Sequence, residues 1–133
     1  MTTDTLNFTY QDFTYITHGE RAMNLRLVRP AGDGPFPAII DLHGGAWNNS
    51  GPESCQERDE VLAASGIAAA ALEFRHGADR YPSTLEDINY AVRWMKAQAS
   101  ELGIDAARIG LAGQSSGGHL AMLTAMRPGD ARY

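Results

Sequence analysis

Three short stretches of this chain are apolar almost without interruption: Ala38-Ile39-Ile40-Asp41-Leu42, Ile67 to Phe74, and Arg108 to Ala112. A strand with one wet face alternates polar and apolar residues. A strand covered on both faces is free of that alternation. Helical segments lie between the runs. One spans roughly Ser54 to Ala64 and ends at Gly66, a position suited to a left-handed cap. Another spans Thr84 to Leu102, where Leu85, Ile88, Val92, Met95 and Ala99 recur at helical spacing and mark a core-facing stripe. Ser83-Thr84-Leu85-Glu86 has the form of a capping box at its start, and Gly103 follows as a C-terminal cap. Strands alternating with helices imply parallel neighbours joined by right-handed crossovers. Ahead of them, Phe8 to Ile16 and Met23 to Arg29 read as an antiparallel edge pair, with turn chemistry from Pro30 to Pro37. The expected order is β, β, β, α, β, α, β, α in an α/β domain.

The third run leads into Gly113-Gln114-Ser115-Ser116-Gly117, and a helix is expected from His119 onward. Strand, G-x-S-x-G, then helix is the setting of a nucleophile elbow, in which flanking glycines let a tight turn lift the serine off the strand end. Ser115 is therefore the candidate nucleophile. A serine hydroxyl reacts only when a neighbouring base takes its proton, and the elbow supplies exposure rather than that base. The first run leads into His43-Gly44-Gly45-Ala46-Trp47. A Gly-Gly pair brings main chain close to a ligand, and backbone N–H groups aimed at one point stabilise the oxyanion of an acyl-transfer intermediate. The N–H of Ser116, at the start of a helix, is a further candidate donor.

Together these segments resemble the α/β-hydrolase superfamily, in its esterase and lipase branch related to hormone-sensitive lipase. The H-G-G loop precedes the elbow in that branch. Leu72-Glu73-Phe74-Arg75 resembles its strand ending in an aromatic-Arg step, and Tyr81 to Asp87 resembles its following helix start. Gly113 to Ala121 is similar to the elbow of acetyl-esterase, feruloyl-esterase-like and kynurenine-formamidase-like members. The resemblance runs from about Leu25 onward. It implies that Ser115 is the nucleophile, and that Gly45, Ala46 and Ser116 offer oxyanion N–H groups, with Gly44 shaping the loop. Ala46 departs from the third glycine common in the family. The resemblance also implies that residues 1–133 are the N-terminal part of a single hydrolase domain. In the family the triad acid and histidine follow the elbow on later strands, so they are expected beyond Tyr133 or on a second chain. The 133 residues alone are expected to be inactive.

The composition fits this reading. With 11 basic against 16 acidic residues, the net charge of −5 argues against nucleic-acid binding, which needs a basic patch. No apolar run approaches a membrane span. Met1 to Asn7 has the features of no signal peptide, so a cytoplasmic location is expected. Cys55 is the only cysteine, which excludes an internal disulfide. No cluster has metal-ligand spacing, and neither metal nor cofactor is expected.

None of the histidines is a convincing base. His119 reads as packed beneath the elbow, His43 as bracing its own loop, His76 as a loop residue, and His18 as part of the edge hairpin. Glu57, Asp59, Glu60, Glu86 and Asp87 read as solvated or capping carboxylates. Trp47 and Tyr81 are candidates to line a substrate pocket. The expected substrate is a small ester. Amide or formamide hydrolysis is open within the same chemistry, and a non-catalytic binding module on the same scaffold is open outside it.

Overall fold

The computed structural model describes residues 7–46, 50–79 and 81–133. Its five strands form one sheet in the order β1-β2-β4-β3-β5. Strands β1 (Phe8–His18) and β2 (Arg21–Pro30) make the expected antiparallel edge hairpin, turning at Gly19 with φ 63°. Strand β2 then pairs antiparallel with β4 (Ala68–Leu72). Strand β3 (Phe36–Leu42) runs parallel to β4 on one side and to β5 (Ile104–Gly113) on the other.

The helices cover both faces. Helix α1 (Gln56–Ala64), entered through a 3-10 turn at Pro52–Cys55, packs on β4 and β2. Helices α2 (Ser83–Ala97) and α4 (Ser116–Met126) pack against each other on the opposite face. Side-chain alternation divides the sheet accordingly. Leu25, Leu27, Ile40, Leu42 and Leu72 face α2 and α4, where Leu85, Ile88, Ala91 and Met95 meet them. All nine are buried. Each large aliphatic side chain so buried contributes roughly 1.5–3 kcal/mol. Four consecutive alanines of β4, Ala68 to Ala71, are buried in the middle of the sheet. Among the described residues no helix is long and apolar enough to cross a membrane.

Local expectations fared unevenly. The stripe on α2 faces the core as its spacing predicts, with Leu85, Ile88 and Met95 buried and Val92 partly buried, but the helix ends at Ala97 and a separate short helix α3 (Ala99–Leu102) follows. Ala99 and Leu102 stay buried across the break, and Gly103 at φ 72° provides the left-handed cap. Gly66 (φ 94°) likewise follows α1. The capping box does not form. The N-cap of α2 is Pro82, and the Ser83 hydroxyl donates instead to the carbonyl of Asp79 at 2.8 Å.

The reading of Asp59 and Asp87 as solvated or capping carboxylates is overturned, since both are fully buried. Asp87 accepts from the Arg75 backbone N–H at 2.8 Å, from the Arg75 guanidinium at 2.9–3.2 Å, and sits 2.8 Å from His18 Nε2. The Thr84 hydroxyl closes the cluster by donating to the carbonyl of Arg75. This network pins the end of β4 to the first turns of α2, and to the edge hairpin through His18.

Candidate active site

Parallel pairing decides which loops meet. Leu42 of β3 lies opposite Gly113 of β5, so both strands end at the same edge of the sheet. The loop His43–Ala46 leaves one strand and the turn Gln114–Ser115 leaves its neighbour. Such crevices beyond the carboxyl ends of parallel strands are where open α/β sheets bind ligands.

Ser115 has φ 55° and ψ −122°, a backbone region that costs a non-glycine residue on the order of 1–3 kcal/mol and persists only where its surroundings enforce it. Glycines provide that enforcement. A Cβ on Gly113 would stand 2.2 Å from the carbonyl group of Gly117, and a Cβ on Gly117 would stand 2.1 Å from the carbonyl oxygen of Leu42. The turn is closed by Gly117 N–H donating to Gln114 O at 2.9 Å and His119 N–H to Ser115 O at 3.2 Å. Ser115 is exposed and Ser116 is buried.

The His43 loop comes up against this turn. A Cβ on Gly44 would meet Gln114 O at 2.9 Å and Ser115 Cβ at 3.4 Å, so only glycine allows the approach. The structure thus brings Gly44 and Ser115 side by side. Gly45 (φ 120°) and Ala46 (φ 53°) follow in left-handed backbone conformations. At Ala46 that geometry costs about 1–2 kcal/mol relative to a residue without a Cβ. The loop therefore keeps a glycine-like path despite the alanine.

His43 is 3% exposed and stacks on Phe74, ring centroids 4.5 Å apart. Its Nδ1 lies 2.7 Å from the carbonyl of Gly44; a carbonyl only accepts, so Nδ1 carries the hydrogen. Burial lowers the His43 pKa, which keeps the ring neutral near pH 7. The ring braces its own loop, as expected. A cavity of about 150 Å³ beside it is lined in part by His43, Glu73, Phe74 and His76.

Beneath the same strand end lies a group of side chains that sequence spacing does not disclose. Asp41, fully buried, receives Arg58 Nε at 2.9 Å and the adjacent guanidinium nitrogen at 2.5 Å. Burial drives the Asp41 pKa upward, but hydrogen bonds from Arg58 and then Asp59 more than reverse this, leaving it lowered. Asp59 is pushed up to about 9, first by burial and then by Asp41 beside it. At neutral pH Asp59 therefore keeps its proton while Asp41 is ionised. The Cys55 thiol, pushed up to about 12 by burial, completes a group whose ligand-type atoms all lie within 4.8 Å of one another. The spacing suggests no such cluster, but the fold assembles one. At neutral pH two of its three members keep their protons, and Arg58 balances the single negative charge. A cation would have to displace those protons. The one available signal was Asp41 itself, a charge inside an otherwise apolar run, which demands a buried partner.

The remaining candidates are dispersed. Trp47 lies outside the described residues. Tyr81 is 54% exposed and bonds through its hydroxyl to that of Tyr133 at 2.8 Å, with Arg132 over its ring. His119 is exposed on α4 rather than packed beneath the elbow, because its helical position turns it to the outer face while Leu120 and Ala121 take the buried one.

Comparison with known proteins adds the following. The family described as BD-FAE matches residues 25–132. The probable carboxylic ester hydrolase LipM of Mycobacterium tuberculosis is 35% identical over 135 residues, covering 93% of this chain and 31% of LipM. The gibberellin receptor GID1 of Oryza sativa subsp. japonica is 36% identical over 104 residues, covering 72% of this chain and 29% of the receptor. Among solved structures, a bacterial heroin esterase superimposes with a TM-score of 0.84 at 30% identity, covering 93% of this chain and 40% of the esterase. The chain therefore spans less than half the length of each.

Proposed function

The chain belongs to the BD-FAE family and has the α/β-hydrolase fold of esterases, and from that premise we propose that its protein is a serine hydrolase cleaving carboxylic esters through an acyl-enzyme. Ser115 Oγ attacks the ester carbonyl while a histidine takes its proton. The tetrahedral oxyanion is received by the N–H groups of Gly45, Ala46 and Ser116, and Gly44 keeps the loop close. The histidine returns the proton to the departing alkoxide. Water, deprotonated by the same base, then releases the carboxylic acid and restores Ser115. Residues 1–133 act as the N-terminal part of one domain, and the histidine with its orienting carboxylate comes from further strands or from a second chain. Those strands also extend the sheet past β5, which stands at its edge here.

The observation that carries this reading is the left-handed backbone of Ser115 with Gly44 packed against it. The names of LipM and the heroin esterase favour esters over amides as substrates. In the protein containing the whole domain, a fluorophosphonate probe should label Ser115, and Ser115→Ala should lower p-nitrophenyl acetate hydrolysis by at least about a thousandfold. Residues 1–133 alone should give no turnover above buffer. A second reading, a ligand-binding module without turnover, is favoured by the receptor among the relatives. It predicts an unlabelled Ser115.

A further inference from the structure

Arg58 is placed to do more than neutralise Asp41. Its Nε and one terminal nitrogen grip the Asp41 carboxylate, and its other terminal nitrogen donates to Gln114 Oε1 at 3.3 Å. Asp41 stands two residues before His43, and Gln114 immediately precedes Ser115. One planar guanidinium on α1 therefore joins the base of the glycine loop to the base of the elbow. The backbones of these two ends pack closely through Gly44 and Gly117, but the main-chain bond at their base, Gln114 N–H to Leu42 O, is 3.4 Å long, at the weak end of the hydrogen-bond range.

We propose that Arg58 is a positioning residue that sets the spacing between the oxyanion loop and the nucleophile by clamping Asp41 to Gln114. Its catalytic consequence rests on the esterase reading above; its structural content does not. Neutralising a carboxylate needs one cation, which lysine supplies. Spanning two acceptors in one plane needs the fork of arginine.

The experiment uses the protein with its whole domain and the variants Arg58→Lys, Gln114→Ala and their combination. Arg58→Lys keeps a charge beside Asp41, and Gln114→Ala leaves the buried pair untouched, so folding is preserved. Each single variant should lower kcat for p-nitrophenyl acetate by about ten- to a hundredfold with KM within about twofold, since small misplacements of reacting groups cost rates of this order. The double variant should be no worse than the poorer single one, because both break the same link. Amide hydrogen exchange should quicken in both His43–Gly45 and Gln114–Gly117, and remain unchanged in β1–β2. If kcat holds within twofold in both single variants, or the losses multiply in the double, the clamp is refuted. If Ser115→Ala leaves hydrolysis intact, the esterase reading falls instead. Exchange then decides alone: unaltered protection in both loops overturns the clamp, and faster exchange in both sustains it.

Discussion

Two carboxylates, Asp87 and Asp59, are equally buried on helices that cover opposite faces of the sheet, yet their surroundings differ completely. Asp87 meets a guanidinium, a backbone N–H and a histidine. Among the described residues no hydrogen-bond donor reaches either Asp59 oxygen, and the carboxyl is accommodated by keeping its proton beside Asp41. Burial alone therefore says little about what an acidic residue does. The donors around it decide whether it is a fixed charge or a neutral acid that becomes costly once ionised.

The largest effect should come from breaking the well-partnered side. Asp87→Ala strands Arg75 and should cost about 3–5 kcal/mol in urea denaturation. A loss below 1 kcal/mol would erase the contrast. The second effect tests Asp59 through pH. Its folded value, about 9, lies above the ordinary 3.8, so between those limits the unfolded chain releases a proton that the folded chain retains. Stability from this group is full below pH 4 and declines as pH rises towards 9, by up to about 1.4 kcal/mol per unit. Asp59→Asn should flatten that decline, so that the variant gains on the parent in urea denaturation steadily from pH 5 to pH 8. An unchanged pH profile in the variant would show Asp59 to be ionised in the fold. The smallest effect is expected for Thr84→Val, which removes the donor to the Arg75 carbonyl and should cost about 1 kcal/mol without altering the pH profile.

The same contrast explains what could be read from the residues. Two covered strands, β3 and β4, were legible because burial on both faces forces apolar runs; the third run, Arg108 to Ala112, reads the same way but stands at the sheet edge in β5, partly exposed. The glycines around Ser115 and at Gly44 were legible because only a missing Cβ permits such approaches. Partnerships across the fold were not. Arg58 meets Asp41 from 17 positions away, and Arg75 meets Asp87 from 12, with no local pattern to announce either. The capping box failed for a related reason: its motif describes an isolated helix start, whereas here the Ser83 hydroxyl found a carbonyl in the preceding turn. The exposed face of His119 depended on where the end of β5 directs α4, which the local spacing did not reveal.

Strand β4 carries almost no bulk, and that has a consequence for how the protein can vary. A row of methyl groups at the middle of a sheet acts as a thin spacer between two helical layers. Each added carbon there would press outward on α1 or inward on α2, and through α1 on the arginine that reaches the serine turn. A strand in the middle of the sheet is thus where small changes in volume would be felt at the edge that carries Ser115.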